Sequence, residues 1–237
     1  MSNAKIYGAD LSVVGALLAE PARAAMLTAL WGGVALPASE LAMRAGVTPS
    51  TASTHLNRLL DACWITVERH GRHRYFRLAS SDIAQMLETL ACVAPIAPVR
   101  SLNAHQATES LRIARSCYDH LAGELGVALT DALLAQGVLI GDGTAVHLSD
   151  HGKAFLQAHS VTLPPSSSRR TYARFCLDWS ERRDHIAGAL GAAILTTWVT
   201  QRWLERTTQS RALRLTPTGI EQLAAWGVPW PSRRQAS

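Results

Sequence analysis

The chain is poor in charge, in cysteine and in long apolar runs. Only 17% of its 237 residues are charged, against 48% hydrophobic. That balance excludes a chain too polar to bury a core. No apolar run reaches the roughly 18–20 residues needed to span a bilayer. The longest, IAGALGAAILTTWV, is shorter and holds threonines. The amino-terminal MSNAKIYGADL has no basic segment followed by a long apolar stretch, so a secretory signal is not expected. The four cysteines, Cys63, Cys92, Cys117 and Cys176, stand far apart and form no CxxC pair. This usage fits reduced thiols in a cytoplasmic protein better than a disulfide framework. P-loop, dinucleotide fingerprint and nucleophile elbow are also missing, which leaves the common nucleotide-dependent and acyl-transfer enzymes without a motif.

What is present reads as mainly α with short β-hairpins. ADLSVVGALLAEPARAAMLTALWGG predicts two helices, with Pro21 in the first turn of the second and Gly32-Gly33 as its stop. PASELAMRAG predicts a short helix closed by Gly46, and TPSTASTHLNRLLD a further helix reaching about Ala62. In WITVERHGRHRYFRL, β-branched and aromatic residues flank His70-Gly71-Arg72, the pattern of a hairpin with a basic tip. SSDIAQMLETLACVA is another helix, and the proline-bearing PIAPVRSLN a linker. The expected domains are 10–95 and 105–230, joined by a linker at 96–104.

The helix that opens at Thr48 begins with hydroxyls because it begins with a cap: Thr48-Pro49 is an N-cap and first-turn pair. Ala52, Leu56, Leu59 and Leu60 then form an inward stripe at spacings of three and four. Ser50, Thr51, Ser53, Thr54 and His55 lie largely on the other side, joined by Arg58. Short donor–acceptors of this kind can approach base edges and phosphates in a major groove. A helix, a glycine-containing turn and a polar-faced helix make a helix-turn-helix. Between Thr48 and Leu78 there are five arginines and three histidines against two acids, so about three of the five net positive charges fall in an eighth of the chain. A wing carrying Arg72, His73 and Arg74 would lie along phosphates and give salt-sensitive affinity.

The stretch PASELAMRAGVTPSTASTHLNRLLDACWITVERHGRHRYFRLA resembles the winged-helix domain of ArsR/SmtB-type bacterial transcription regulators. Thr51, Ser53, His55, Leu56 and Leu59 match that family's recognition-helix pattern, and Gly71, Arg72, Tyr75, Phe76 and Leu78 match its wing. The resemblance implies a homodimer on an inverted-repeat operator of double-stranded DNA, held by the first helix and the helix after the wing. It also implies a repressor released by a ligand. Two metal sites known in the family are missing. The place of its C-x-C-D-L segment reads Pro37-Ala38-Ser39-Glu40-Leu41, and the helix after the wing has Asp82 but no His.

The remainder is extra to the short family members and contains an approximate repeat, 105–160 and 170–226, read as two similar helix-rich halves. ARSCYDHLAGELGVAL answers ARFCLDWSERRDHIAGALGAAI, with six extra residues between Cys and Asp-His in the second copy. VHLSDHGKAFL answers LRLTPTGIEQL; both read as strand, cap and helix. Cys117 and His120 are expected to share one face of a helix. With Asp119, Cys176, Asp178 and His185, they are the candidates for a metal or thiol site. If the halves pair about a pseudo-twofold axis, two Cys and two His converge as ligands for Zn²⁺ or another thiophilic ion, or as a thiol switch. Core packing is the plain alternative for the thiols. Trp179, Trp198, Trp203, Trp226 and Trp230 either line a pocket for an organic effector or fill the core. The run around Arg182-Arg183 reads as a solvated helix end or as a clamp for an anion. The expected function is a ligand-responsive, DNA-binding regulator. The alternatives are a Cys/His enzyme that uses the winged helix for docking, and an architectural DNA binder without a ligand.

Overall fold

The structure is a computed structural model that describes residues 10–71, 73–95, 101–141, 145–165, 167, 170–207 and 210–230. Its chain separates into two compact units, 1–83 and 84–237.

In the first unit, α1 (Leu11–Leu18) is capped by the Asp10 carboxylate, and α2 (Pro21–Leu30) begins on its proline. β1 (Leu36–Pro37) leads into α3 (Ala38–Ala45), which Gly46 ends in the left-handed region at φ 65°. α4 (Pro49–Asp61) follows after a short turn, and the Thr48 side chain accepts from Thr51 N at 3.3 Å. Ala52, Leu56 and Leu59 form the buried stripe of α4. β2 (Ile65–His70) and β3 (His73–Leu78) pair antiparallel from Ile65↔Leu78 to His70↔His73. β1 adds to the outer edge of β3, a third strand that periodicity did not signal. Ile65, Phe76 and Leu78 are buried with Met26, Leu27, Leu30 and Leu41.

In the second unit lies most of α5 (Ser81–Val93), followed by α6 (Leu102–Ile113). The linker expected at 96–104 is helical from Leu102, and 96–100 lie outside the described residues. The two halves of the repeat follow. The first contains β4 (Arg115–Cys117), β5 (His120–Ala122), α7 (Glu124–Ala135), β6 (Leu139–Gly141), β7 (Val146–Leu148) and α8 (Asp150–Ala158). The second has the same order in β8 (Arg174–Leu177), β9 (Asp184–Ala187), α9 (Gly188–Thr200), β10 (Leu204–Arg206), β11 (Leu213–Leu215) and α10 (Pro217–Ala225). Ser149 and Thr216 cap α8 and α10 by accepting from Gly152 N and Gly219 N.

Each half is therefore as much hairpin as helix, which corrects one expectation. Cys117 and His120 do not lie on a helix; they are direct partners across a β-hairpin with a two-residue turn, Tyr118-Asp119. Tyr118 takes φ 59°, and Gly123 takes φ 82° ahead of α7, so the backbone leaves helical geometry on both sides of the motif. Cys176 and His185 are partners in the same way. The six extra residues of the second copy form its longer loop, so the Arg182-Arg183 run is a hairpin loop and not a helix end. Arg183 pairs with Asp131 at 2.8 Å.

The halves share one core. α9 packs on β5 and α7 on β9, while β5 lies beside β9. Leu125, Leu129, Leu133, Leu190, Ile194 and Trp198 are buried together. Trp198 and Trp226 meet edge to face with centroids 5.1 Å apart, a geometry worth about 1 kcal/mol beyond area burial. No single helix among the described residues is long and apolar enough to cross a membrane.

Candidate functional site

The outer face of α4 is open. Ser50, Thr51, Ser53, Thr54 and Arg58 are exposed, and His55 is half-buried. Two of the hydroxyls donate back along the helix: Ser53 Oγ to Pro49 O at 2.9 Å, and Thr54 Oγ1 to Ser50 O at 3.3 Å. A hydroxyl that donates back along its helix turns oxygen lone pairs outward, where they suit the amino groups of adenine and cytosine. Thr48, Ser50 and Thr51 are linked in the capping cluster.

His55 is held from behind by a residue that the sequence pattern did not single out. The buried Arg23 donates to Leu17 O at 2.8 Å and Ala16 O at 2.7 Å, closing the end of α1. Its third nitrogen lies 3.4 Å from His55 Nδ1. A guanidinium only donates, so the tautomer satisfying this contact carries its hydrogen on Nε2. Arg23 thus links α1 and α2 to the orientation of a ring on α4.

On the wing, His73 and Arg74 are exposed, and the Arg74 guanidinium lies over the Phe76 ring, 5.2 Å from its centroid. Arg72, also expected at the wing, lies outside the described residues. Arg69 is exposed and faces Arg74 directly across the ladder, a pairing that depends on register and was missed from sequence. Arg77 has an acidic neighbour, donating to Glu68 at 3.0 Å. A polar-faced helix behind a tight turn, beside a basic two-stranded wing, defines a winged helix-turn-helix DNA-binding module.

In the second unit, Cys117, His120, Cys176 and His185 come together, and all four are buried. One Sγ or ring nitrogen from each lies within 4.8 Å of the corresponding atoms of the others. The imidazoles are 5.1 Å apart at their centroids. Asp119 accepts from His120 Nδ1 at 3.3 Å, and Asp178 Oδ2 lies 3.3 Å from His185 Nδ1. Among the described residues, His120 Nε2 and both ring nitrogens of His185 are buried without a hydrogen-bond partner. Small residues permit this approach. A Cβ on Gly191 would stand 2.6 Å from Ile186 O and 3.1 Å from His120 Cβ, and Gly126 occupies the equivalent place against His185.

The carboxylates are strongly anchored. Arg170 clamps Asp119 at 2.5 and 2.9 Å. Burial disfavours the charged form of Asp119, but His120 and Arg170 outweigh it and hold the group down at about 2. Burial is likewise overcome at Asp178, which His185 and Arg115 hold well below the usual carboxylate range. Asp178 also accepts from Gly123 N at 2.7 Å. His185 is raised to about 9: burial opposes its protonation, but Asp178 and Cys176 prevail. The Cys117 thiol donates towards Cys176, with both imidazoles alongside, so Cys176 is driven towards thiolate while Cys117 is pushed up.

Arg115 extends this network. Its Nη2 lies 2.8 Å from Asp178 and 2.9 Å from Glu88 of α5, and Arg211 approaches Glu88 at 3.5 Å. Trp179 lies against Arg115, whose charged carbon is 4.7 Å from the ring centroid. Trp198 and Trp226 are in the core, with Trp203 and Trp230 packed against it. A cleft of about 680 Å³ lies elsewhere, lined by His147, Lys153, Tyr172 and Arg174 among others.

A helix-turn-helix domain family matches residues 18–63. The HTH-type transcriptional regulator YdfF of Bacillus subtilis is 43% identical over 211 residues, covering 89% of this chain and 93% of YdfF. CmtR of Mycobacterium bovis, also an HTH-type transcriptional regulator, is 36% identical over 83 residues, 35% of this chain and 70% of CmtR. The solved structure of the cadmium metal-sensor CMTR from Mycobacterium tuberculosis is 33% identical, covers 38% of this chain and 95% of its own, and superposes with a TM-score of 0.31. The chain belongs to the HTH-type transcriptional regulators, its winged helix-turn-helix resembling that of the ArsR/SmtB type and followed by a long carboxy-terminal region.

Proposed function

We propose that this regulator is a homodimeric, ligand-responsive repressor that binds an inverted-repeat operator. Residues 10–95 contact DNA, and residues 105–230 read the effector. The observation that carries the first part is the exposed hydroxyl face of α4 in the same unit as a wing with Arg69 and Arg74 unburied. Homodimer formation is supported by α1. Its sequence LSVVGALL is almost wholly apolar, yet none of its residues is buried, and Leu11 and Val13 are 74% and 56% exposed. A helix of this composition needs cover, and a second copy related by a twofold axis supplies an identical apolar helix.

Of the two effector classes open from sequence, a metal or thiol signal is favoured over an organic molecule. The four Cys and His side chains converge, whereas the tryptophans are taken up by packing. The effector need only prefer the arrangement that does not bind DNA, with about 1.4 kcal/mol of preference giving each tenfold shift. Footprinting on the promoter region next to the chain's own gene tests the reading. A repressor protects a palindrome and its affinity differs strongly between sequences. Uniform affinity with a steep salt dependence would mean an architectural binder instead.

A further inference from the structure

We propose that Cys117, His120, Cys176 and His185 form a four-coordinate site for a thiophilic divalent cation of the zinc–cadmium class, and that Asp178 relays its occupancy to α5 through Arg115 and Glu88. The relay rests on the regulatory function proposed above; the site does not.

The donor set is the first reason. Two thiolates and two imidazoles suit soft or borderline ions with tetrahedral preference and not magnesium or calcium. Around such an ion neighbouring ligand atoms stand about 3.3–3.8 Å apart. Here they lie within 4.8 Å, so side-chain adjustments of about 1 Å close the shell. The second reason is three unpartnered ring nitrogens among the described residues, His120 Nε2 and both nitrogens of His185. A buried ring nitrogen without a partner is costly. With a carboxylate beside each Nδ1, at 3.3 Å in both cases, Nε2 is the atom left to ligate, the usual carboxylate–imidazole–metal arrangement. Charge is the third reason: two thiolates neutralise a divalent ion, so the filled site is neutral where all four side chains are at most 4% exposed. The protons still held by the thiols and by a charged imidazole leave to solvent as the metal–sulfur and metal–nitrogen bonds form.

The topology assigns the ion a task. Each half contributes one cross-strand Cys–His pair, so the ion joins the two hairpins. No face of the cluster is exposed, which leaves no open position for a substrate and makes the site a clasp and not a reaction centre. Asp178 touches both His185 and Arg115, and Arg115 touches Glu88 on α5, the helix that begins three residues after the last strand of the wing. Closing the clasp sets the position of Asp178 and, through the arginine, the seat of α5.

The test uses the full-length reduced protein after chelation. Cobalt(II) is titrated in and then displaced by zinc(II) or cadmium(II). The expected result is one ion per chain, intense thiolate-to-cobalt charge transfer, tetrahedral visible bands and the loss of two reactive thiols. X-ray absorption of the zinc form should give two sulfur and two nitrogen neighbours without any variant. Cys117→Ser and Cys176→Ser should each abolish the charge-transfer signature at low ion concentration, and Cys63→Ser should preserve it. No stoichiometric ion, or an oxygen-only shell, overturns the site. So does a chain isolated two hydrogens lighter that still binds no metal once it is reduced, since that is a disulfide switch.

The relay is read by operator affinity with and without zinc. Wild type should shift at least tenfold. Asp178→Asn should keep the cobalt spectrum, bind the ion about 10–100-fold more weakly and lose most of the shift at saturating ion. Glu88→Gln, which leaves His185 untouched, should retain ion affinity and lose the shift. An unchanged shift in both variants overturns the relay alone. Absence of operator binding in either state overturns the regulatory reading and leaves the metal site standing.

Discussion

Arg69 and Arg74 are direct partners across the wing ladder, both exposed and with no acidic residue between them. Like charges facing each other across strands destabilise a hairpin by a few tenths to about 1 kcal/mol. Phosphates would relieve that repulsion. Arg69→Ala and Arg74→Ala should therefore each weaken binding to every duplex by a similar factor and reduce the salt slope by about 0.9 per lost phosphate contact. Neither should lower the melting temperature. Fluorescence anisotropy over a salt series, with thermal melts alongside, checks both parts; a slope equal to wild type would remove the wing from the interface.

Ser53 and His55 should behave differently. Ser53→Ala removes an outward-facing acceptor, and His55→Ala removes the ring that Arg23 orients. Each should change discrimination among operator variants by about 1–3 kcal/mol at the position it reads. The salt slope should not move. Competition with single-base operator variants measures the difference.

Arg23→Met should cost about 2–3 kcal/mol in urea unfolding of the first unit. It deletes two charged hydrogen bonds to the end carbonyls of α1. It should also reproduce part of the His55→Ala change in sequence preference, an effect that a loss of stability alone would not produce.

Leu11→Glu should yield monomers at concentrations where wild type sediments as a dimer. A glutamate on an apolar helix face is tolerated in the free chain, because position 11 is 74% exposed, but is costly when that face is covered by a second copy. Operator affinity should fall with dimerisation.

Gly191→Ala should destabilise the second unit by several kcal/mol, because its methyl would press on Ile186 O and the His120 side chain. Gly15→Ala is the control. Among the described residues of a single chain nothing lies within 4 Å of that Cβ, so an isolated protomer should gain up to about 1 kcal/mol from better helix propensity. Chemical denaturation followed by tryptophan fluorescence separates the two.

Sequence determined the winged helix almost completely, because its signals are local. The Thr48-Pro49 cap, the Ala52-Leu56-Leu59 stripe, the Gly46 stop and the alternation around Gly71 each act within a few residues, where propensity and capping decide the backbone. The repeat was equally visible, and with it the pairing of one Cys and one His from each half. The local conformation around Cys117 was not. A spacing of three places two side chains together on a helix and also across a two-residue turn, so the motif alone suits both. The left-handed backbone at Tyr118 and Gly123 chose the hairpin. The hairpin's register, fixed where the strands turn between His70 and His73, set Arg69 opposite Arg74. Only the packing of one half on the other brought Asp178 between His185 and Arg115 and turned the tryptophans into core. The Asp178–Arg115 contact joins residues 63 positions apart, and it exists only once the shared apolar surface has been removed from water.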